Sequence, residues 1–133
     1  HAMFNYRLAM YDRAQLGDVI WAQLVRCADF TPEVRKQILK AAGKGVRFQM
    51  VIKKYSPALN DFQELFEPLH RAEIAEGPDN AISLQGLSDK EVVLAFPSVE
   101  SYTAVVIRDT YFAGIIKAWF ERRFVELVAG QGE

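Results

Sequence analysis

The alternation of apolar and polar positions divides the 133-residue chain into short strand-like runs and longer helical periods. The run 19–25, Val-Ile-Trp-Ala-Gln-Leu-Val, is apolar at all but one position, which predicts a strand covered on both faces. Thr31, Pro32 and Glu33 then combine an N-cap, a proline suited to the first helical turn and an acid matched to the dipole. Val34, Ile38 and Ala41 recur on one face of that helix until Gly43 and Gly45 close it. Residues 46–52 form a second apolar run, so strand, helix and strand make a parallel, right-handed βαβ unit. Upstream, Phe4, Leu8 and Tyr11 give a weak helical period that stops before Gly17. Downstream, Ser56 and Pro57 open a helix with Phe62, Leu65, Phe66 and Leu69 along one side. Pro68 cannot continue it, which places its end near Glu67.

After the turn cluster Gly77-Pro78-Asp79-Asn80 the rhythm changes to period two. Strands are predicted over 81–87 and 91–96, joined by a hairpin at Ser88-Asp89-Lys90, and over 102–107. Asp109 and Thr110 cap a long final helix predicted over 111–128. On that helix Phe112, Ile115, Ile116 and Trp119 share one direction. Phe120, Phe124 and Leu127 share another, roughly 90–100° away at 100° per residue. Two stripes exceed the need of one core-facing helix. The second either covers the N-terminal segment of its own chain or forms an interface with a second subunit or neighbouring domain; Trp21 and Trp119 are assigned to the core.

Charge and composition narrow the class. Sixteen basic residues interleave with 17 acidic ones for a net charge of −1, which argues against direct nucleic-acid contact. No apolar run approaches the ~18 residues of a membrane span and no leader pattern opens the chain, so a cytoplasmic location with no membrane contact is expected. The single cysteine, Cys27, excludes an internal disulfide and a multi-cysteine metal site. His1-Ala2-Met3 has the character of residues added in cloning, which leaves His70 as the native histidine. No metal and no cofactor is implied. Residues 4–133 are expected to form a single domain, with 4–16 as the remnant of a longer helix.

A family resemblance rests on three stretches. Asp18-Val19-Ile20-Trp21, the helix from Thr31 and the entry Ala41-Ala42-Gly43-Lys44-Gly45-Val46-Arg47-Phe48 resemble the opening of the phospholipase D fold. The hairpin from Leu87 to Phe96 is similar to that family's hairpin. Tyr102-Thr103-Ala104-Val105-Val106-Ile107 followed by Phe112 and Trp119-Phe120-Glu121 is similar to its last strand and closing helix. The resemblance implies an α/β fold: a mixed sheet in βαβαβββα order with helices on both faces, half of a phospholipase D-like fold. The family's catalytic signature is His-x-Lys-x-x-x-x-Asp, with histidine as nucleophile and lysine on the phosphate. With Asp89 as the aspartate, Ile82 takes the histidine position and Leu84 the lysine position, so neither role can be filled. Such a degenerate, single-copy version resembles the C-terminal region of TrmB-type transcriptional regulators. That likeness implies a non-catalytic, effector-binding or dimerising module of a prokaryotic regulator.

Ligands of parallel α/β sheets settle outside the carboxyl ends of the strands. Those ends carry Arg26, Cys27 and Asp29 after the first strand, and Lys53, Lys54 and Tyr55 after the second. Ser83 and Gln85 project from the next strand. Arg26, Asp29, Lys53, Tyr55, Ser83 and Gln85 are therefore the candidate ligand set for a small polar or anionic effector, with Tyr55 as a stacking wall. The competing reading makes them ordinary rim residues of a protein-interaction domain that binds no small ligand.

Overall fold

The computed structural model describes residues 2–24, 31–53, 57–67, 72–77, 82–97 and 102–131. The chain runs α1 (Ala2–Arg13), β1 (Val19–Leu24), α2 (Pro32–Gly43), β2 (Arg47–Lys53), α3 (Pro57–Phe66) and β3 (Ala72–Gly77). It continues through β4 (Ser83–Leu87), β5 (Glu91–Pro97), β6 (Tyr102–Ile107) and α4 (Thr110–Gln131). The strands form one mixed sheet in the order β3-β2-β1-β4-β5-β6. β1, β2 and β3 are mutually parallel, and β4 pairs antiparallel with β1 and begins an antiparallel meander. β1 therefore has a neighbour on each side and a layer on each face, which is why its sequence is apolar almost throughout.

β3 departs from the sequence expectation of five strands. Its sequence, Ala-Glu-Ile-Ala-Glu-Gly, has few of the β-branched and aromatic residues that mark a strand. Pairing with β2 supplies what intrinsic preference does not, and β3 sits at the sheet edge with that single neighbour.

Alternation along the strands builds two cores. Ile20, Ala22, Phe48, Met50, Ile52, Leu87 and Val93 point to one face. They pack there with Met10, Tyr11 and Ala14 of α1, with Val34, Ile38, Ala41 and Ala42 of α2, and with Leu65 of α3. α2 begins as its sequence requires: the Thr31 hydroxyl accepts from the Val34 N–H at 3.3 Å, with Pro32 in the first turn. Gly45, with φ +94°, makes the turn from α2 into β2.

The opposite face belongs to α4. Trp21, Val51, Leu84 and Val92 from four strands pack against Ala113, Phe120 and Phe124, with Ile116 and Leu127 partly buried beside them. This corrects the assignment of Phe120, Phe124 and Leu127 to an interface, and equally to a cover for the N-terminal segment. They are this domain's own core, Phe120 fully enclosed, and α1 lies on the other side of the sheet. Of the stripe taken for core, Phe112 is 57% exposed, Ile115 50% and Trp119 51%, with Tyr111 beside them at 72%, while Ile116 is partly buried against the inner cluster. Apolarity alone did not rank the two stripes; shape does. Gly86 leaves room on β4 for the Trp21 indole, and that ring meets Phe120 at 5.2 Å between centroids, with Phe124 stacked behind at 5.9 Å.

Candidate functional site

Antiparallel pairing of β4 with β1 brings the start of β4 to the edge where β1 and β2 end, so Ser83 and Lys53 lie at one side of the sheet. Arg26, Asp29 and Tyr55, with Cys27 and Lys54, fall outside the described residues. Lys53 is the last residue of β2. Ser83 is half-buried at the first position of β4, paired with Ala95.

Gln85 is placed differently from a rim residue. It is 2% exposed and lies beneath α1, opposite Ala22 in the register. Its side-chain oxygen accepts from Arg7 Nε at 3.0 Å and from the Tyr11 hydroxyl at 3.4 Å, and its nitrogen approaches Met10 Sδ at 3.5 Å. The amide is thus already engaged on both ends by α1. Sequence reading missed Arg7 because the period of α1 is weak and nothing in it foretold which strand the helix would cover.

Toward the other end of α1 lies an ionic cluster. Glu91, buried on β5, pairs with Arg13 and lies 3.8 Å from Arg108 Nε. Both guanidinium groups stand over the Tyr6 ring, at 5.4 Å and 5.8 Å from its centroid. Tyr6 and Arg13 are one helical face apart by seven residues, so α1, β5 and the end of β6 are tied together here.

On the α4 face, Leu84 is buried and Ile82 packs partly buried in the same apolar cluster, while Asp89 is exposed in the hairpin turn. Ile82 and Leu84 therefore share one apolar cluster with Phe120 and Phe124. Beside them Gln23 is buried and donates from Nε2 to the Ile82 carbonyl at 3.0 Å. Among the described residues no three histidine, cysteine or acidic side chains converge as metal ligands. Nor is any described helix long and apolar enough to cross a membrane.

The hairpin end is a hydrogen-bonded knot. Ser88 Oγ donates to Asp18 Oδ1 at 2.9 Å and accepts from the Val19 N–H at 3.1 Å. The Ser88 carbonyl accepts from Trp21 Nε1 at 2.8 Å, and Lys90 Nζ lies 3.0 Å from Asp18 Oδ1. Burial pushes the Asp18 carboxyl up, but the Gln15 N–H, Lys90 and Ser88 outweigh it and hold the group below its ordinary 3.8. This knot fixes the turn and has the geometry of a structural tie.

No protein-family model matches the chain, and no curated protein matches it. Solved structures do. TrmBL2, an archaeal chromatin protein whose structure shows a novel mode of DNA binding, superposes with a TM-score of 0.72 at 18% identity. The match covers 92% of this chain and 48% of that one, so the chain spans about half the length of TrmBL2. Nuc of Salmonella typhimurium, a phospholipase D family member, superposes with a TM-score of 0.67 at 16% identity, over 91% of this chain and 86% of that one. These likenesses show that the chain has a phospholipase D-like fold, related to that of TrmB-type proteins.

Proposed function

We propose that the chain is a non-catalytic regulatory domain of a prokaryotic transcription regulator, working in the cytoplasm through effector binding, self-association or both. The observation that supports the reading is that, in a chain with a phospholipase D-like fold, Ile82 and Leu84, which the sequence resemblance sets against the family's histidine and lysine, lie in the apolar cluster beneath α4. A scaffold kept without its reactive pair is fit for recognition. The relation to TrmB-type proteins supports the regulatory setting.

The outward stripe of α4 favours self-association as the working mode. Four large apolar side chains within nine residues stand half or more exposed, and Tyr111 and Phe112 pack edge to face on the surface. Contiguous apolar surface of this kind marks interaction sites. Light scattering is the test: the wild type is expected at twice the 15.1 kDa chain mass, and Trp119→Glu at the monomer mass. A monomeric wild type removes that mode. Absence of turnover is checked with bis(p-nitrophenyl) phosphate: hydrolysis by the wild type overturns the non-catalytic reading, and its survival in His70→Ala assigns the nucleophile to another residue. The competing reading is a protein-interaction domain with no small ligand, and thermal-shift screening with sugars, nucleotides and phosphorylated metabolites separates it from an effector-binding domain, since a reproducible rise requires a small ligand.

A further inference from the structure

We infer that Arg7 anchors a binding site for an oxyanion, a phosphate or carboxylate group, on the sheet face covered by α1. The inference deepens the effector reading by naming the chemistry of the ligand. Arg7 is half-buried on the inward side of α1, and among the described residues its hydrogen-bonding partner is the neutral side-chain oxygen of Gln85. That oxygen is fixed in place, since Gln85 is 2% exposed and also receives the Tyr11 hydroxyl. Arg7 is therefore held by a rigid buried amide through Nε alone, and its terminal nitrogens remain to grip a second partner.

Every described carboxylate that contacts α1 or the adjacent turn is already committed. Asp12 pairs with Lys40, Asp18 with Lys90, and Glu91 with Arg13 and Arg108. Glu91 is thus shared by Arg13 and Arg108. The Arg7 fork of terminal N–H donors matches two oxygens of a phosphate or carboxylate, which is the recognition arginine performs best. Arg13 and Arg108, over the Tyr6 ring, set two cations against the single carboxylate of Glu91 in the neighbouring cluster.

Thermal unfolding of the whole chain tests this with inorganic phosphate and with citrate, each against sodium chloride at equal ionic strength. One or both anions are expected to raise the wild-type Tm by about 3–5 °C at ten-fold excess over Kd. Phosphate alone identifies a phosphoryl ligand, citrate alone a carboxylate, and both a general oxyanion site. Arg7→Gln is expected to abolish the shift and Arg7→Lys, which keeps charge but loses the fork, to reduce it by more than half. Arg122→Gln, on the far side on α4, keeps the full shift. No rise beyond chloride in the wild type overturns the inference, as does a full rise in Arg7→Gln; if that variant does not fold, Arg7→Lys decides. Because oligomeric state is read separately, a monomer that binds phosphate sustains this site while removing self-association, and a dimer without binding does the reverse.

Discussion

Gly86 and Trp21 set the interior by mutual accommodation. A Cβ on Gly86 would overlap the Trp21 indole at Cζ2 and Cε2, so glycine is required by the indole and not by the backbone angle. Gly86→Ala is expected to cost at least 2–3 kcal/mol, read as a fall of about 5 °C or more in Tm. A Tm within about 1 °C of wild type would show that the indole has somewhere else to go. Nearby, Ser88 is the one described non-glycine residue with positive φ, at 47°, and the bonds it makes to Asp18, Val19 and Trp21 hold it there. Asp18 adds a pH dependence with a definite sign. Its carboxyl is lowered in the fold, so its stabilisation is present above the unfolded value near 3.8 and is lost as pH falls through the folded value. Urea midpoints are expected to drop between about pH 5 and pH 3, and to drop less in Asp18→Asn. Asp12, lowered by Lys40 but fully exposed, leaves a residual slope in that variant.

At the scale of elements, α4 shows what hydrophobic pattern does and does not convey. Its apolar positions surround much of the helix, so period alone gave two stripes and the wrong one was taken inward. The deciding fact is steric and nonlocal: the gap over Gly86 on β4 receives an indole from β1, and only the Phe120 side of α4 meets it. Paired substitutions separate the stripes. Phe120→Ala is expected to cost about 3–5 kcal/mol, whereas Phe112→Ala, on the exposed side, changes stability by roughly 0.5 kcal/mol or less. Equilibrium unfolding in urea measures both, and equal losses would place the two rings in equivalent surroundings. The βαβ unit, by contrast, was legible from end to end, because the Thr31 cap, the proline after it and the apolar runs all point to one structure. β3 was not, because its side-chain pattern is weak and its place is conferred by β2.

For the molecule as a whole, the order of elements along the chain follows the phospholipase D-like frame, and β3 extends the mixed sheet to six strands. The candidate site was less legible. Ser83 and Gln85 do lie on the sheet's α1 side, but Gln85 is consumed by contacts with a helix 74 to 78 positions away in sequence. A partner that distant leaves no trace in local spacing, so Arg7 carried no signal in the sequence.

The β1–β4 pairing divides the sheet into two blocks of unlike direction: three parallel strands before it in the chain, three antiparallel strands after it. Each block lends the other a lid, since α1 reaches across to Gln85 and Glu91 while Phe120 of α4 reaches back to Trp21. The polypeptide is accordingly separable. Fragments 1–79 and 80–133, expressed together and never joined, are expected to find one another and reconstitute the intact domain, recovered by a tag on either piece.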